Sequence, residues 1–93
     1  MMDRDAAERL AIAALGWLAG EEAELTRFLA ETGAGAEDLR ARAVEPEFLG
    51  FVLDFMMASD DRLLAFAEAE GVLPDAAVRA RAALPGGQQP HWT

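Results

Sequence analysis

Apolar positions in this chain come in blocks at helical spacing, and Gly, Pro and acidic residues stand between the blocks. Gly20 separates WLA from EEAEL, and Gly33 and Gly35 follow LTRFLAET. Pro46 interrupts RAVEPEF, Ser59 precedes DDRLL, Gly71 follows AFAEAE, and Pro74 opens PDAAV. A glycine after a periodic stretch reads as a left-handed C-terminal cap, and a proline at the first helical position reads as a start. The spacing predicts helices near 4–19, 21–32, 36–45, 46–58, 60–70 and 74–84, with Gly33 and Gly71 at positive φ. Ala, Leu, Glu and Arg dominate and β-branched residues are few, so the segments favour helix over strand. The last stretch, PGGQQPHWT over 85–93, is rich in breakers and is expected to form a flexible tail.

One block stands apart. FLGFVLDFMM, residues 48–57, carries a single charge, Asp54. On a helical wheel its apolar side chains cover an arc of about 240°, from Phe51 round to Met57. A helix lying on a globule's surface needs a stripe only a little over ~100° wide. The excess predicts a central helix with Val52, Leu53, Phe55 and Met56 nearly fully buried. Phe51 and Met57, at the borders of the arc, are with Trp17 the candidate partner surface. Glu47, Gly50, Asp54 and Ala58 fall within about 80° of one another, which marks an outward stripe. Asp54 is therefore expected to be a solvated surface acid, with a buried ion pair to an arginine as the alternative.

The chain also matches itself. At an offset of 38 residues, Trp17-Leu18 falls on Phe55-Met56, Leu15 on Leu53, Leu25 on Leu63, Phe28 on Phe66 and Gly33 on Gly71. One more residue of offset places LRARA (39–43) on VRARA (78–82). The expected architecture is all-α: a compact bundle of five to six helices, built as two duplicated three-helix units sharing one core. Residues 1–84 would form one domain, with units at about 8–45 and 46–84.

FLAETG, DLRARA, VLDFMM and LLAFAE, in that order, give the chain a resemblance to a family of short alphaproteobacterial proteins catalogued as domain of unknown function 3572. The resemblance covers roughly residues 8 to 87. It implies one small helical bacterial domain and brings no activity, cofactor or catalytic residue with it. Glu45 precedes Pro46 where a shorter capping acid is expected, which implies a weaker cap there.

Composition narrows the function. Ninety-three residues suit a single domain, and the apolar fraction of 53% suits a folded one. A net charge of −9 disfavours nonspecific binding to nucleic acid or an anionic membrane. With no cysteine there is neither a disulfide nor a thiolate site, as suits a reducing cytoplasm. The start, MMDRDAAERL, lacks the order of a secretory signal, and the apolar block is about half a membrane span. The expected location is cytoplasmic.

Candidate chemistry is sparse. Ser59 is the only serine and sits where an N-cap belongs, before Asp60-Asp61. His91 is the only histidine and lies in the tail, so no Ser-His pair or His-rich metal site is expected. The acids Glu21, Glu22, Glu24, Asp60 and Asp61 open helices, where carboxylates complement the dipole. No catalytic, cofactor-binding or metal-binding residue is assigned. Arg40, Arg42, Arg79 and Arg81 are the candidates for an alternative role in nucleic-acid binding, but residues two apart on a helix point about 200° apart and form no single patch. The sequence thus favours a non-enzymatic interaction or regulatory module that meets a protein partner or itself, without cofactor and without a membrane.

Overall fold

A computed structural model describes residues 2–85. Six α-helices follow one another: α1 Arg4–Ala19, α2 Glu22–Thr32, α3 Leu39–Arg42, α4 Pro46–Met57, α5 Asp60–Glu70 and α6 Asp75–Ala82. A single 3₁₀ turn, Ala36–Asp38, runs into α3. No strand occurs among the described residues.

Local chemistry sets most of the boundaries. The Asp3 carboxylate accepts from the Ala6 N–H at 2.7 Å and caps α1. The Ser59 hydroxyl accepts from the Arg62 N–H at 3.3 Å and caps α5, as its position before two aspartates predicts. Pro46 stands in the first turn of α4, and Glu45 gives no side-chain cap there. Gly33 and Gly71 end α2 and α5 in the left-handed region, at φ 74° and 72°.

The segment expected as one helix over 36–45 is the exception. Only Leu39 and Ala43 of it pack against the core, and neither the 3₁₀ turn nor α3 buries a residue. Such a short apolar stripe supports about one turn. The chain then turns at Ala43-Val44, because the residue before a proline is steered to extended backbone, and Glu45 takes φ −93°, ψ 114°.

α4 is the centre of the molecule. It buries Phe48, Leu49, Gly50, Val52, Leu53, Phe55 and Met56, including the four residues expected there. Its bulk is met by small side chains: Ala7, Ala11 and Ala14 of α1, and Ala80 of α6. Alternating large and small residues lets helices approach closely without voids. α6 lies against both α1 and α4, α2 packs on α1, and α5 packs on α4 and α1. Phe28 joins α2 to α4 through edge-on contacts with Phe48 and Phe55, at 5.8 and 5.2 Å between ring centres. Trp17 meets Phe66 edge-on at 6.2 Å.

The outward stripe of α4 needs one correction. Its exposed positions are Glu47, Phe51, Asp54 and Ala58, while Gly50 is buried. A wheel reads glycine as non-apolar, but a glycine also lets a neighbour lie directly on the backbone. Here the neighbour is Arg81 of α6: a Cβ on Gly50 would stand 2.8 Å from its Nη1. The same guanidinium pairs with Asp54 at 2.7 Å and donates to the Pro85 carbonyl at 2.9 Å. Asp54 is thus both half-exposed and ion-paired. Pro85, placed in the expected tail, is tethered; the rest of that tail, 86–93, lies outside the described residues.

Candidate functional site

A groove of about 660 Å³ opens between the C-terminal half of α1 and the 3₁₀ turn with α3. Ile12, Leu15, Gly16 and Ala19 form its α1 wall; Ala36, Glu37, Leu39 and Arg40 form the other. Helical spacing produces the first wall, since Ile12, Gly16 and Ala19 are four and three residues apart and share a face. Gly16 makes that wall shallow, and a Cβ built on it would meet nothing within 4 Å. The second wall stands off from α1 because it is anchored only through Leu39 and Ala43. Ile12 remains 47% exposed in consequence.

The charges at the rim are unequal. The Glu37 carboxylate turns back over Gly35, its Oε1 lying 2.8 Å from where a Cβ would sit. Arg40 makes no ion pair among the described residues. The floor is apolar, formed by Ile12, Leu15, Ala19 and Leu39. Its lining holds no serine, cysteine or histidine that could act as a nucleophile or a nitrogen base. No cluster of three or more potential metal ligands occurs among the described residues.

The residues singled out from sequence lie elsewhere and apart. Trp17 is half-buried against Phe66, Met57 is half-buried, and Phe51 alone is exposed, at 44%. Met57 lies about 120° round α4 from Phe51. The four arginines considered for nucleic acid also do not converge. Arg42 pairs with Glu45 at 3.4 Å and sits over the Phe48 ring, Arg79 pairs with Asp75 at 2.9 Å, and Arg81 is held by Asp54. Arg40 lines the groove. Sequence reasoning missed the groove, although a mid-helix glycine four residues after the exposed Ile12 was its visible sign.

A second feature also went unseen. Arg62, in the first turn of α5, is buried at 7% exposure. It donates to the Phe55 carbonyl at 2.6 Å, stacks 3.8 Å over the Phe55 ring and lies 3.2 Å from Glu24 of α2. The Nε and Oε1 atoms of this pair are close enough to attract but not aligned for a hydrogen bond.

These features define an all-α domain with an open groove between α1 and α3. The chain belongs to the family described as Protein of unknown function (DUF3572), whose model matches residues 4–87. No curated protein and no solved structure matches it. No helix among the described residues is long and apolar enough to cross a membrane.

Proposed function

We propose that this domain is a non-enzymatic, cytoplasmic protein-interaction module, and that it engages its partner through the groove between α1 and α3. The observation that carries the reading is the combination of an open apolar floor with Arg40 at its rim and no ion pair to that arginine among the described residues. An apolar surface of this kind gains free energy when a partner removes it from water. Three of the four arginines of the nucleic-acid alternative, Arg42, Arg79 and Arg81, are held in ion pairs, which favours the protein-partner reading.

Affinity capture from the native organism with three forms of the chain tests the reading. Gly16→Trp fills the groove from a position with free space and leaves the core alone, so it should abolish capture of a partner that wild type retains. Phe51→Ser, on the far stripe of α4, should keep it. Capture that survives Gly16→Trp and is lost with Phe51→Ser would move the interface to α4.

A further inference from the structure

The aromatic contacts between the two halves are reciprocal. At the offset of 38 residues Trp17 corresponds to Phe55, and Phe66 corresponds to Phe28. Trp17 meets Phe66 with ring planes at 68°, and Phe55 meets Phe28 with ring planes also at 68°. Exchanging the halves therefore turns one contact into the other, which is the signature of a two-fold relation. A residue on a two-fold axis must meet its own counterpart. Glu24 corresponds to Arg62, and these two are the pair that meets at 3.2 Å. The caps agree as well: the Gly20 N–H donates to the Trp17 carbonyl as the Ala58 N–H does to that of Phe55.

The two units are joined by the turn at 43–45, and Arg42 holds that turn shut. The Glu45 N–H donates to the Arg42 carbonyl at 2.9 Å, the two side chains pair at 3.4 Å, and the guanidinium sits 4.6 Å over the Phe48 ring. Arg42 is available for this because α3 does not close on α1 as α6 closes on α4. Arg81, its counterpart, lies over Gly50 and reaches Asp54, but the corresponding positions on α1 are Ile12 and Gly16, and the space left there is the groove. Neither unit is complete alone. Phe28 packs on Phe48 and Phe55, Trp17 packs on Phe66, and one core cluster spans both units. These contacts and the Glu24–Arg62 pair all join side chains across the seam. Each can therefore form equally well between units of two chains once the turn at 43–45 opens.

We propose that the seam accepts a second copy of this chain: the units exchange between two chains about the turn at 43–45, and Glu24–Arg62 admits only unlike units. Charge makes the selection. Two first units would set Glu24 against Glu24, and two second units Arg62 against Arg62, each like pair in a largely buried position. Unlike units restore the attraction, and two exchanged chains close on one another with both seams filled. In the wild-type chain the short turn keeps the units at an effective concentration on the order of millimolar, so the monomer prevails below it. The inference concerns the seam and stands whether or not the groove binds a partner.

Glu24→Arg and Arg62→Glu, each in the full chain, provide the test. They are unfolded in urea, mixed in equal amounts and refolded together at about 0.1 mM, well under that effective concentration. Alone, each variant carries a like-charged axial pair however its units are arranged. Together, an exchanged heterodimer holds one Glu24–Arg62 pair and one reversed pair. Light scattering and native mass spectrometry should find a 1:1 dimer in the mixture that neither variant gives alone, with helical content above the mean of the two. If a single variant fails to fold, recovery of helix on joint refolding supports the inference equally. A mixture that remains the sum of its parts would overturn it. So would dimers of each variant alone as abundant as those of the mixture, because the axial pair would then select nothing. Val44→Pro locates the crossing. Val44 is 80% exposed, and a proline there steers Ala43 away from its helical φ −65°, ψ −11° and straightens the turn. This variant should dimerise at a concentration at least tenfold below wild type, and an unchanged concentration dependence would overturn exchange about 43–45.

Discussion

Gly33 and Gly71 hold φ values that side chains rarely adopt, yet a Cβ at either would meet nothing within 4 Å. Substitution there isolates backbone strain from crowding. Gly33→Ala and Gly71→Ala should each lower stability by about 1 kcal/mol or slightly more, read as a shifted urea midpoint at unchanged slope. An unchanged midpoint would mean the helix ends differently in solution. Both glycines were legible in the sequence because a helix stop is a local event, decided by the residue that must turn left. Ser59 was legible for the same reason. Gly50 and Arg62 were not. Gly50 is buried by an arginine 31 positions later, and Arg62 by a glutamate 38 positions earlier, so no local pattern records either contact.

At the scale of elements, α4 and α3 are the extremes of burial, one with seven buried residues and the other with none. α4, apolar over most of its circumference, is enclosed by α1, α5 and α6 and closed on one side by Arg81. The glycine and proline stops bound a helix-length segment over 36–45 as they do for α6, but α6 buries three alanines where α3 buries nothing. Propensity alone cannot hold a helix so short in water. Arg81 is the fastening of α6: it joins Asp54, the Gly50 backbone and the Pro85 carbonyl. Asp54 is half-exposed, so the ion pair itself is worth at most ~1 kcal/mol after solvent screening. Arg81→Ala should therefore cost only ~1–2 kcal/mol globally, counting the lost hydrogen bond as well. Its larger effect should be local, as faster amide exchange in Asp75–Ala82 than in α4. Uniform acceleration across all helices would show that α6 does not open by itself.

For the whole molecule, the central claim is that two like units meet about an axis that runs past Glu24 and Arg62, one closed by α6 and the other left open as the groove. The fold class and the repeat landmarks were readable because helical periodicity and glycine stops are written along the chain. The groove was not, because it depends on how far α3 stands from α1. A double-mutant cycle on the axial pair tests the claim most directly. Reversing either charge sets two like charges together in a largely buried position, so Glu24→Arg or Arg62→Glu alone should cost about 2–4 kcal/mol. With both changes, the guanidinium brought in by Glu24→Arg should occupy the mirrored site, reaching the Trp17 carbonyl and stacking on the Trp17 ring as Arg62 does on Phe55. The measurement is chemical denaturation of the four forms, each carrying Trp92→Phe so that emission reports Trp17 alone. The account predicts that the double variant recovers most of the lost stability with Trp17 emission altered in the native state. A double variant that loses the sum of the two single costs, with Trp17 unperturbed, would contradict it.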